Sequence, residues 1–317
     1  MFFRNKAAVV TGGAGFIGSH LVDRLLEEGA EKVTVLDNFV GGSRKNLEHL
    51  ENDGRLKVVE GDIRNQETVK ELIQNADFVF NEAASKLVVS LKDPRTDVMT
   101  NVVGTFNVLE AARDSDARIV HASTGSVFGS SEQPMPENHA KNPSTIYGIS
   151  KLAGEKYCMH FAKEFGLKVS VLRYFHVYGP RQDYSGEAGV VSIFLSRVLN
   201  KKPPVIFSGG NQIRCFTYVA DDVDATLLLA KEKKAIGEDY NVASKARVSI
   251  NELAGMAIDK YAEDKSMKPI YGKARSGENM KPIPDTAKIE ALGFKAKLSF
   301  EKGLELTKKW VAEQEGK

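Results

Sequence analysis

The 317-residue sequence predicts an α/β protein: a doubly wound parallel sheet with a smaller, interleaved C-terminal region. Three observations carry that prediction. Short β-rich runs alternate with helix-period segments through the first half, a glycine-rich turn joins the first run to the first helix, and an aspartate closes the second run. Strands that alternate with helices cannot pair as hairpins. They pair in parallel, with the helices covering the faces of the sheet.

The elements follow in order. The strand-like runs are Ala7–Val10, Val33–Leu36, Leu56–Val59, Phe78–Phe80, Arg118–His121 and Val169–Leu172. Helical periodicity appears at Ile17–Glu28, Glu67–Gln74, Val98–Arg113 and Gly148–Phe165, with Gly29 placed to end the first helix. After Gly179-Pro180 the pattern loosens, and Gly186, Gly189, Pro203-Pro204 and Gly209-Gly210 punctuate short elements. The domain division expected is 1–175 for the sheet domain, with 214–242 returning to it, and 176–213 plus 243–317 for a substrate-side region. The stretch from Leu298 to Val311 reads as a terminal packing helix, and Lys231–Lys234 as the solvated end of another.

The turn after the first strand reads Thr11-Gly12-Gly13-Ala14-Gly15-Phe16-Ile17-Gly18. Gly13, Gly15 and Gly18 fit G-x-G-x-x-G, and Gly12, Gly15 and Gly18 fit a variant with a wider first spacing. Such glycines let backbone approach a pyrophosphate, and the helix start behind them offers unpaired N–H groups to it. This is a Rossmann dinucleotide fingerprint in its correct context. Asp37 ends the second strand nineteen positions after Gly18. A carboxylate there accepts from ribose hydroxyls and repels a 2′-phosphate, which favours NAD over NADP. Asp62, after the third strand, is placed either at the adenine edge or as a turn or helix cap.

Tyr147 and Lys151 are spaced to share one helix face. A free phenol has a pKa of about 10 and is a poor base at neutral pH. A neighbouring ammonium and a positively charged nicotinamide both favour the phenolate. Ser123-Thr124-Gly125-Ser126 follows the fifth strand, at the strand end where open α/β sheets place their ligands. A hydroxyl there can bond the substrate oxygen whose proton Tyr147 removes.

Composition excludes other classes. The net charge of +2, from 44 basic and 42 acidic residues, gives no electrostatic footprint for nucleic acid. No apolar run is long enough to span a bilayer, and Met1-Phe2-Phe3-Arg4 leads straight into a strand with no room for a signal peptide. Cys158 and Cys215 form no metal-spaced cluster and suit a reducing cytoplasm. The expectation is a cytoplasmic protein with no metal.

With these residues in place, the chain resembles the extended short-chain dehydrogenase/reductase family, in particular its NAD-dependent sugar-nucleotide epimerases and dehydratases. The matching stretches are residues 11–20, Asp37-Asn38, Gly61-Asp62-Ile63, Tyr147–Lys151, Leu172–Gln182 and Arg214–Val219. The resemblance implies NAD held by Gly12, Gly15, Phe16, Ile17, Gly18, Asp37, Asn38, Asp62, Ile63, Ala83, Lys86, Tyr147 and Lys151. It implies Tyr147 as the acid/base, Lys151 as its tuning partner and Thr124 as the helper hydroxyl. Thr124, His176, Arg214 and Arg275 are then the substrate contacts, the arginines gripping the diphosphate of a UDP-sugar. A homodimer through the helices near Val98–Arg113 and Gly148–Phe165 is also implied.

Family dehydratases carry Asp-Glu where this chain has Gly125-Ser126, and related decarboxylases tend to keep the Glu. The departure favours C4 epimerisation of a UDP-hexose. Another nucleotide-sugar reaction and a catalytically silent NAD-binding scaffold remain as alternatives. His176 stands for a usual Asn, Cys215 for a frequent Asp, Phe128 for Tyr and Asn81-Glu82 for a usual His-Leu or His-Phe pair near the cofactor. Pro282 lies where relatives vary a residue that gates the sugar's 2-substituent.

Overall fold

The structure, a computed structural model, describes residues 1–185, 189–273 and 283–317. Seven strands form the central sheet: β1 Ala7–Thr11, β2 Lys32–Asp37, β3 Leu56–Glu60, β4 Phe78–Asn81, β5 Arg118–Thr124, β6 Lys168–Tyr174 and β7 Asp239–Val242. All pairs are parallel, in the order β7-β6-β5-β4-β1-β2-β3. The chain winds one way from β1 to β3 and the other way from β4 onward. The reversal leaves a crevice between the C-terminal ends of β1 and β4, where such sheets bind ligands.

The principal helices are α1 Phe16–Glu27, α2 Gln66–Ile73, α3 Thr105–Ala112, α4 Ile146–Phe165, α5 Val190–Leu199, α6 Val219–Lys231, α7 Ile250–Tyr261 and α8 Phe300–Gln314. On one face of the sheet, Leu21, Leu25 and Leu26 of α1 and Val223 and Leu227 of α6 pack onto Val10, Phe80 and Leu172. On the other, Val69 of α2, Leu109 of α3 and Phe161 of α4 pack onto Val9, Val79 and Val171. A separate core beyond the strand ends joins α5, α7 and α8 around Tyr178, Phe216 and Phe300. Gly29, at φ 85°, closes α1 in the left-handed region that a side chain disfavours.

Two elements differ from the sequence expectation. β7 is a seventh strand beyond the six expected. Its sequence Asp-Tyr-Asn-Val alternates the strand-poor Asp239 and Asn241 with the strand-favouring Tyr240 and Val242. It is held by pairing with β6 and by Asn241, whose side chain donates to the carbonyls of Met135 and Asp285. The helix expected over 98–113 begins as a π-turn at Met99–Gly104 before settling into α3. A β-carbon on Gly104 would stand 2.4 Å from Ile63 Cδ1, so the wide turn seats directly against the loop after β3. The C-terminal helix runs Phe300–Gln314, capped by Ser299, and buries Leu304 and Val311. Lys231, at the end of α6, is ion-paired with Glu28 at 2.6 Å rather than simply solvated. Among the described residues no helix is long and apolar enough to cross a membrane.

Candidate active site

A cleft of about 1090 Å³ opens over the crevice between β1 and β4. Its floor is the glycine turn. Gly12 takes φ 68°, and a β-carbon there would lie 2.8 Å from the backbone of Ala83. A β-carbon on Gly18 would lie 2.2 Å from the Gly12 carbonyl oxygen. Gly15 is the N-cap of α1 and offers no side-chain cap, so the first N–H groups of the helix are left for a ligand. Phe16 and Ile17 begin the helix and line the same wall.

Beyond the turn, Asp37 Oδ2 accepts the Ala14 N–H at 2.9 Å, and its Oδ1 accepts the Phe39 N–H at 2.8 Å. Both oxygens are thereby fixed and keep further lone pairs for hydroxyl donors. Asn38 Nδ2 donates to Asp62 at 2.7 Å, and Arg64 closes an Asx turn on the same carboxylate. Burial pushes the Asp62 carboxyl up, but the bonds from Arg64 and Asn38 outweigh it and hold the group below its usual range. Asp62 is thus both turn-former and cleft-lining residue. Ile63 lines the cleft beside it, as does Ala83 on the far side. Lys86 reaches back across the opening to Gly41, its Cε 3.4 Å from where a β-carbon on Gly41 would stand. A glycine cradle that a side chain would fill, a helix N-terminus and a fixed carboxylate form a site that fits a dinucleotide.

The second half of the site lies at the end of β5. Thr124 ends that strand and α4 brings Tyr147 and Lys151 over it. Thr145 caps α4 by accepting the Gly148 N–H, which fixes the start of the helix. The Thr124 hydroxyl acts on the Tyr147 phenol and also accepts the Ser126 N–H at 3.2 Å. Burial pushes the phenol up to about 12, the Thr124 hydroxyl lowers it, and the Asp97 carboxylate raises it. Lys151 is buried and its Nζ donates to the Ala122 carbonyl at 2.6 Å. Burial lowers its ammonium, countered chiefly by Glu82. The spacing of Tyr147 and Lys151 suggests an acidified phenol, whereas in the chain alone burial dominates.

Behind this pair, Asn101 of the π-turn accepts the Ser85 N–H at 2.8 Å and donates to Asp97 at 3.1 Å and Ser150 at 3.0 Å. Ser123 donates to Glu155 at 2.6 Å, and Arg173 holds the same carboxylate with two bonds of 2.8 Å. Gly125 has no space for a side chain: a β-carbon would stand 2.3 Å from the Phe175 ring.

On the sugar side, His176 holds a left-handed backbone at φ 48°. Asparagine, aspartate and histidine are enriched in that conformation among non-glycine residues. Its imidazole faces Phe216 edge-on, with Nδ1 buried and without a partner. Burial and the Arg214 charge press its pKa down to about 3, so it is neutral at physiological pH. Arg214 lies on the strand Ile213–Cys215, which pairs with Arg247–Ser249. His176 and Arg214 are therefore brought together. Cys215 packs with Val127, Phe128 and Phe175 as a small apolar residue. Arg275 and Pro282 lie outside the described residues. Glu82 is the cleft residue whose importance sequence reasoning missed. Its signal was the departure from the usual pair at 81–82. Asp97 left no comparable signal.

Comparison with known proteins sharpens the reading. Residues 8–243 match the family described as the NAD dependent epimerase/dehydratase family. A protein of Methanocaldococcus jannaschii provisionally named UDP-glucose 4-epimerase is 38% identical over 96% of this chain and 97% of its own. A UDP-N-acetyl-alpha-D-glucosaminuronate decarboxylase of Bacillus cytotoxicus is 34% identical over 98% of this chain and 99% of its own. The UDP-glucose 4-epimerase of Thermotoga maritima, solved with UDP-glucose, superposes with a TM-score of 0.90 at 36% identity, covering 97% of this chain and 99% of that one.

Proposed function

Because the chain belongs to the NAD-dependent epimerase/dehydratase family, with NAD as its cofactor, we propose that it inverts C4 of a UDP-hexose through a transient 4-ketosugar that turns over before reduction on its opposite face. When bound, the cofactor exchanges a hydride with C4 and brings a positive ring to the site. The residues of this chain do the rest. Tyr147 accepts the C4 hydroxyl proton during oxidation and returns it during reduction. Thr124, at the end of β5 beside Tyr147, offers the hydroxyl that orients that oxygen. Lys151, anchored on Ala122, holds positive charge near the phenol and the nicotinamide ribose. Gly12, Gly15 and Gly18 admit the pyrophosphate, and Asp37 receives the adenosine ribose. Arg214 and the neutral His176 meet the diphosphate side of the sugar nucleotide, with Arg275 as a further grip.

The observation that carries epimerisation over elimination or decarboxylation is at 125–126. Water elimination needs a carboxyl beside Thr124, and the Phe175 ring fills the space that a side chain on Gly125 requires. Ser126 is a poor substitute for a carboxylate. The test is purified protein with UDP-galactose and no added cofactor. UDP-glucose is expected, with NAD carried by the protein. UDP-galactose left untouched even after NAD is supplied overturns the UDP-hexose reading.

We also propose that the protein works as a homodimer. Leu87, Leu91 and Val98 on the segment before α3, and Ile149 and Tyr157 on the adjoining α4, are exposed apolar side chains, Leu91 at 70%. A second copy is the partner that covers them. Light scattering is expected to give twice the 34.8 kDa chain mass, and Ile149→Glu to give a monomer. A monomeric wild type removes this proposal.

A further inference from the structure

Glu82 directly follows β4 and lines the cleft. Its Oε1 accepts the Tyr174 hydroxyl at 2.9 Å. Tyr174 ends β6, in register with Thr124 at the end of β5. Since β5 lies between β4 and β6, the Glu82 side chain passes the end of β5. Asp37 and Asp62 mark the adenosine half of the cleft at β2 and β3, so Glu82 belongs to the reactive half. A carboxylate in a partly desolvated wall is costly unless a positive charge faces it. An uncharged side chain would serve packing as well.

The groups facing Glu82 are few. α4 brings Lys151, with which it interacts through charge. β6 brings Tyr174, and α6 brings Thr226, whose hydroxyl lies 2.8 Å from the Tyr174 oxygen. α6 also brings Asp222, buried with neither carboxyl oxygen bonded and pushed well above the usual carboxylate range by burial, Asp221 and Glu82. The glycine turn brings no titratable side chain. Lys151 is therefore the one cation among these described groups, and one of its three N–H donors is given to the Ala122 carbonyl.

We infer that Glu82 is the counter-charge that sets the balance between oxidised and reduced nicotinamide in this chain, ionised while the ring is positive and protonated once the ring is neutral. Burial moves the Glu82 carboxyl up to about 7, against the Tyr174 bond and Lys151, so the exchange falls in the neutral range. The sign follows from linkage. The positive ring lowers the pKa of Glu82, so raising the pH through neutrality favours the oxidised form. A difference of one pKa unit between the two forms changes the affinity ratio about tenfold. An enzyme that must oxidise and then re-reduce its substrate on one cofactor needs both forms close in free energy.

The inference rests on nicotinamide binding and not on the sugar. The test therefore uses holoprotein equilibrated with fixed mixtures of NAD and NADH between about pH 6 and 9, without sugar nucleotide. The bound ratio is read from the ultraviolet absorbance of reduced nicotinamide. In wild type, the preference for NAD over NADH is expected to rise about tenfold across neutrality. Glu82→Gln is expected to stay flat at the acid value. Should that variant not fold, Tyr174→Phe, which removes the bond that favours the carboxylate, is expected to move the midpoint to higher pH. A flat wild-type profile, a Glu82→Gln profile that still rises, or an unmoved midpoint in Tyr174→Phe overturns the inference. A failure to epimerise UDP-galactose leaves this measurement untouched.

Discussion

Tyr147→Phe is expected to lower kcat on UDP-galactose about 10³-fold, within the range that a positioned acid/base supplies, while leaving bound NAD in place. The substitution removes one oxygen. It takes away the proposed acceptor of the C4 proton and its interaction with Thr124, but leaves the ring on α4. The contacts proposed for the diphosphate lie elsewhere, at Arg214 and His176, so KM is expected to change little. A fall of this size corresponds to about 4 kcal/mol of transition-state stabilisation. Steady-state kinetics paired with NAD content, measured on denatured protein, gives the answer. Turnover within tenfold of wild type would take the acid/base role away from Tyr147 and raise the standing of a catalytically silent scaffold.

The second large effect concerns stability. Arg173 is fully buried and holds Glu155 with two bonds, pairs with Asp239, and stacks 5.0 Å over the Phe128 ring. Removing one partner of a buried ion pair leaves the other charge desolvated, which costs about 3–5 kcal/mol. Arg173→Ala is expected to lose that much, because Glu155 then keeps only the Ser123 hydroxyl. Urea unfolding measures it, and a loss below about 1 kcal/mol would show that water replaces the guanidinium. The double variant Arg173→Met with Glu155→Leu is expected to recover most of the loss. It removes both fully buried charges, and Asp239, at the solvent edge, keeps Lys288 at 3.6 Å.

The sequence made the sheet legible where periodicity was strong. β1, β2, β4, β5 and β6 lie where apolar runs place them, because those runs are buried on both faces, and β3 lies where its run places it as a largely exposed edge strand. The glycine turn was legible because its spacing answers to backbone geometry that few other contexts require. β7 was hidden because Asp239 and Asn241 are poor strand formers that take their structure from long-range partners. The pairing of Tyr147 with Lys151 was visible as an i, i+4 spacing, but the direction of the Lys151 ammonium was not. Spacing along a helix says which residues share a face and nothing about the Ala122 carbonyl that waits across it. Glu82 escaped for a related reason. Its meaning lies in Tyr174, ninety-two positions away, and no local pattern joins them.

The Phe175 ring against Gly125 also constrains how this chain can change over evolutionary time. A lineage drifting toward water elimination must acquire a carboxylate beside Thr124, and at 125 that step meets an aromatic ring 2.3 Å from the first atom it adds. The ring has to shrink first, and doing so opens a void in the small cluster with Val127, Phe128 and Cys215 before any new chemistry is available. The two substitutions are harmful singly and useful only together. The proposed reaction type is thus guarded by a pair of changes that have to be made together.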